Sequence, residues 1–97
     1  MIRVSVKNDA GFLEGTCVVA IAEDGRAYQA CDNQPAVDAN QIGDPNQAVG
    51  VIDILVLSAG RYQVGETSPP PGCDRIIDTY WVEAKQGGAS VVLDHDC

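Results

Sequence analysis

Histidine occurs once in this chain of 97 residues, and so do tryptophan, phenylalanine and methionine. A single His95, with four cysteines that never fall as C-x-x-C, leaves no ligand set for a zinc site, so neither a metal nor a cofactor is expected. The same scarcity removes any Ser-His-acid arrangement with useful context, and no glycine-rich phosphate loop is present, which argues against an enzyme. Asp94, His95 and Asp96 look like ligands when written in a row, but neighbours on a strand point to opposite faces, and a solvated charge run is the plainer reading. Basic residues are few: six Lys and Arg stand against fourteen Asp and Glu, a net charge of −8. Nucleic acids and anionic membrane surfaces are bound by clustered cations, so both are excluded as partners. No apolar run reaches the length of a membrane span, so no membrane insertion is expected. The opening MIRVSVKNDAG reads as a strand from its start, with no leader pattern.

What is present alternates with period 2. IRVSVKN (2–8) sets Ile2, Val4 and Val6 on one side; EGTCVVAIA (14–22) and RAYQAC (26–31) flank an Asp-Gly hairpin turn at 23–25. VGVIDILVL (49–57) is apolar on both faces, as a central strand would be. RYQVGET, RIIDTYWVEA (75–84) and ASVVLDHDC complete the set, with turns at SAG and KQGG. The segment 32–48 is polar and loop-like; Asp38, Asn40 and Gly43 sit at calcium-loop positions, but Ile42 and Val49 stand where oxygen ligands belong, so no such site is expected. About seven short antiparallel strands with frequent turns predict one all-β domain over 1–97, an immunoglobulin-like β-sandwich.

The four cysteines, Cys17, Cys31, Cys73 and Cys97, in a short acidic chain read as two disulfides in an oxidising compartment, which points to an exported or cell-surface protein. Cys17 and Cys31 lie almost equidistant from the hairpin turn and need at most a one-residue bulge to meet. That pairing leaves Cys73–Cys97, out of three connectivities that four cysteines allow.

In GRYQVGETSPPPGC (60–73), Tyr62, Val64 and Glu66 share one face of a strand that the prolines then end. That face is expected to be buried, and a buried carboxylate needs a partner or must lose its charge. This stretch, with LEGTCVVAIAEDG, resembles the prealbumin-like domains of Gram-positive surface proteins and pilins, the collagen-adhesin B-type or SpaA-like family. Leu13, Gly15, Leu57, Gly60, Tyr62, Glu66, Thr67, Pro70 and Gly72 fall on that pattern, with Cys73 where a tyrosine usually closes it. Cys17 and Cys31 also stand where some members carry a cysteine pair. The resemblance implies a prealbumin-like sandwich serving as a stalk or spacer outside the cell, partnered by further copies or neighbouring modules. It also implies an intramolecular isopeptide bond in many members, which would map onto Lys7, Glu66 and Asp94. The chemistry needs an uncharged buried lysine and a protonated carboxyl. Lys7 is out of phase with Ile2, Val4 and Val6, and a last strand with Val91 and Leu93 inward presents His95 rather than Asp94. The expectation is therefore two disulfides, with Glu66 satisfied by backbone N–H groups or His95.

The leading functional reading is a non-enzymatic structural or adhesion module, with the N-terminal strand as a candidate donor or edge for strand addition. A second reading is a module that binds a host protein or carbohydrate through Trp81. Tyr80 and Trp81 are adjacent, so one faces outward, but a lone tryptophan in a sandwich commonly fills the core, and that is the expectation for Trp81.

Overall fold

The alternation of the first strand is realised in β1 (Ile2–Asn8): Ile2, Val4 and Val6 are fully buried, while Arg3 and Lys7 face solvent. The computed structural model describes residues 1–32, 48–56, 59–85 and 88–97. Among these described residues seven further strands follow: β2 (Gly11–Phe12), β3 (Cys17–Ala22), β4 (Ala27–Cys31), β5 (Val51–Ile54), β6 (Gly60–Ser68), β7 (Tyr80–Ala84) and β8 (Ala89–Asp94). Among the described residues there is no helix.

The strands form two four-stranded sheets. In the first, β1 pairs with β5 and β2 antiparallel and with β8 parallel, from Ile2 opposite Ala89 to Lys7 opposite Asp94. The second runs β4-β3-β6-β7, antiparallel throughout. The inward faces meet as one core: Ile2, Val4, Val6, Ile52, Ile54 and Leu93 from the first sheet, and Val18, Ala20, Tyr62 and Val64 from the second. Tyr28 of β4 and Tyr62 of β6, both on the inner face of the second sheet, pack edge to face with centroids 6.1 Å apart. Gly50 is required where β5 begins. Its φ is +73°, and a Cβ there would lie 2.7 Å from the Val6 carbonyl oxygen.

The all-β sandwich is as expected, with a two-residue strand added and one strand pair parallel rather than antiparallel. Three other expectations are corrected. The first strand is no free edge or donor: β1 is flanked on both sides and occupies the centre of its sheet. β5 is not central among the described residues, where it pairs with β1 alone; Ile52 and Ile54 enter the core while Leu55 is exposed. The strand expected over 75–84 begins only at Tyr80, because the preceding residues turn their polar groups toward Glu66. The polar loop at 32–48, with Asp38, Asn40 and Gly43, falls largely outside the described residues.

Candidate functional site

Glu66 lies near the end of β6, after Tyr62 and Val64 on the same inward face, and its side chain is wholly excluded from solvent. Its neighbours come from two other parts of the chain. Ile76 N–H donates to Glu66 Oε1 at 2.9 Å, and Arg75 Nη1 donates to the Glu66 carbonyl oxygen at 3.2 Å. His95, just past β8, brings Nε2 to 2.8 Å from Oε2, with only 2% of its side chain exposed. The contact is short but not aligned as a hydrogen bond, and His95 Nδ1 has no partner among the described residues.

The local chain explains how these groups converge. After β6, Pro70, Pro71, Gly72 and Cys73 form a tight turn in which Cys73 N–H donates to the Pro70 carbonyl at 3.1 Å. Pro71 supplies the fixed φ of its second position and Gly72, at φ +82°, the left-handed third. That turn reverses the chain so that residues 74–79 run back along β6, where β7 has not yet begun to pair. Beyond β8, the ladder with β1 continues one step further, as His95 N–H donates to the Lys7 carbonyl at 2.8 Å. The turn and the end of β8 are then joined covalently by Cys73–Cys97, with Cα atoms 5.2 Å apart. A cleft lined by Asp74, Arg75, Asp94 and Asp96 opens beside the buried histidine.

Each residue singled out in the sequence now has a position. Cys17 and Cys31 stand directly opposite one another on β3 and β4 and are bridged, with no bulge between those strands; the irregularity falls instead between β3 and β6. Lys7 and Asp94 are opposite each other on β1 and β8, but both are exposed on the outer face, whereas Glu66 lies inside. The inward position on that strand belongs to His95, as the register of Val91 and Leu93 requires. Trp81 is not a core residue. It is 52% exposed on the outer face of β7, because β7 is an edge strand whose inward positions are taken by Val82 and Ala84. Arg75 and the Ile76 backbone were invisible as partners of Glu66, since nothing in their spacing marks them. Asp32 was also missed: its Oδ2 accepts from Gly50 N–H at 3.0 Å and Gly15 N–H at 3.3 Å, tying the end of β4 to the start of β5.

Two facing sheets with a disulfide across one hairpin and another closing the last strand define a pilin-like β-sandwich. A solved structure of the group B streptococcus pilus 2b backbone protein matches it with a TM-score of 0.66, at 17% identity, over 98% of this chain. The chain spans 40% of the length of that pilus protein. No family profile and no curated protein matches the chain. The resemblance drawn from the GRYQVGETSPPPGC stretch therefore holds at the level of the fold.

Proposed function

We propose that this chain is a load-bearing, non-enzymatic module of an extracellular filament or stalk, working beside further copies or neighbouring modules. The reading rests on its likeness in fold to a pilus backbone protein and on one feature of the topology. The first and last strands pair in parallel over six residue pairs. Tension entering β1 from its N-terminal side and leaving β8 from its C-terminal side pulls the two strands past one another. All the ladder hydrogen bonds are then loaded together instead of opening one at a time. The Cys73–Cys97 bridge sits where β8 leaves the domain, so tension there passes at once to the turn after β6. In this role Glu66 is a clamp for residues 74–79 and for β8, and sulfur supplies the cross-links.

Single-molecule force spectroscopy tests the proposal. Handles fused at Met1 and Cys97 load the strands in shear, and handles at Met1 and Gly88 peel them apart from one end; the shear geometry should need several-fold more force. The two disulfides fence off 14 and 24 residue steps. Reduction should therefore lengthen the extension on unfolding by about 130 Å at about 3.4 Å per residue. Equal forces in both geometries would overturn the load-bearing reading.

A further inference from the structure

The two outer faces of the sandwich differ in chemistry. The first sheet shows solvent an ion pair, Arg3 Nε to Asp53 Oδ1 at 2.8 Å, together with Lys7 and Asp94. On the outer face of the second sheet the strands carry charge only at Arg61 and Glu83, directly opposite one another, although the chain carries −8 overall. The strand registers place Ala27, Ile21, Gln63 and Trp81 in one straight row across β4, β3, β6 and β7. With strands about 4.8 Å apart, that row spans about 14 Å. Arg61 lies diagonally from Trp81 and holds its guanidinium 4.6 Å from the ring centroid, which fixes the indole and leaves it half exposed. Gln63 Nε2 donates to Thr79 Oγ1 at 2.6 Å, so the amide beside the ring is also held, with its carbonyl oxygen still to be used.

From this juxtaposition we propose that the outer face of the second sheet, centred on Trp81 with Arg61, Gln63 and Thr79, binds a neutral glycan chain laid across the strands. A sugar ring offers an apolar C–H face for the indole and hydroxyls for an amide and a threonine hydroxyl. The charge balance selects the occupant. One arginine already engaged with the ring is too little cation for a phosphorylated or acidic polymer. A second copy stacked on this face would bring the same balanced Arg61 and Glu83 and no complementary charge. A neutral polymer meets neither obstacle. The inference goes beyond the load-bearing role, which stands or falls separately by force measurement.

The lone tryptophan makes the test specific, because all indole emission comes from this face. Cellohexaose, chitohexaose, mannohexaose and galactohexaose are titrated to about 10 mM, enough to fill most of a site with a dissociation constant of about 1 mM. At least one should shift Trp81 emission saturably. Calorimetry should show that binding weakens at least about tenfold in Trp81→Ala, the change expected when an aromatic contact is lost. Gln63→Ala should weaken binding too while keeping the reporter, and it decides the matter should Trp81→Ala fail to fold. No saturable response to any of the four sugars would overturn the proposal. So would binding that survives both substitutions, or an emission shift that follows protein concentration without sugar, which would make a second copy the occupant.

Discussion

Replacing Glu66 by alanine removes the group on which three chain segments converge, and its cost can be worked out from the contacts. Ile76 N–H loses its acceptor; an orphaned, largely buried donor costs about 1–3 kcal/mol. His95 is left buried beside an empty space, and breaking a buried ionisable pair by removing one member costs about 3–5 kcal/mol in all. A domain of this length has a total stability of about 5–15 kcal/mol. Glu66→Ala should therefore remove about a fifth or more of it. Glu66→Gln keeps the shape and an acceptor oxygen toward Ile76, and should cost only about 1 kcal/mol, the net worth of a single hydrogen bond. Urea denaturation of the oxidised protein at neutral pH gives these values directly. The cycle with His95→Ala gives the pair term: the double variant should lose less than the two single losses combined, by at least about 0.5 kcal/mol. A cost below about 1 kcal/mol for Glu66→Ala, or strict additivity with His95→Ala, would refute the clamp.

Intact mass of the denatured protein should be four hydrogens below that of the reduced chain, one pair for each disulfide, and fully restored by reductant; a lasting deficit of one water would instead join Lys7 to a carboxyl group. Replacing Cys73 and Cys97 together by serine should cost about 3.5 kcal/mol by loop closure, against about 3 kcal/mol for Cys17 and Cys31, measured by the same urea titrations. Gly50→Ala should cost about 1–3 kcal/mol from its left-handed backbone, and further because its Cβ meets the Val6 and Leu13 carbonyls; an unchanged thermal midpoint would contradict that packing. In the hairpin turn, the Arg26 backbone N–H and then its guanidinium hold the Asp24 carboxyl below the usual carboxylate range. Its contribution is thus present above the unfolded-state pKa and fades as pH falls through the lower folded value. Carboxyl NMR titration of Arg26→Ala should move Asp24 only part of the way back, since the backbone donor remains.

Much of the sandwich could be read without coordinates because its causes are local. Alternation over Ile2, Val4 and Val6, the Asp-Gly turn at 24–25 and the proline stop after β6 each act within a few residues. The pairing of Cys17 with Cys31 follows from a hairpin whose turn sets its own register. The inward choice of His95 over Asp94 follows from the phase of Val91 and Leu93. The order of strands in each sheet is different in kind. Among the described residues β1 becomes central, β5 an edge and β8 the parallel neighbour of β1 through contacts between residues far apart in the chain, which no local period encodes. Trp81 faces outward for the same reason: period 2 offers two faces, and only the packing of β7 at a sheet edge decides which is buried. The partners of Glu66 divide along this line. The chain by itself determined that a carboxylate would be buried after Tyr62 and Val64, and that His95 was within its means. Only the tertiary structure brought the Ile76 N–H and Arg75 to it, because the turn at Pro70–Cys73 and the Cys73–Cys97 bridge fold residues 74–79 back along β6.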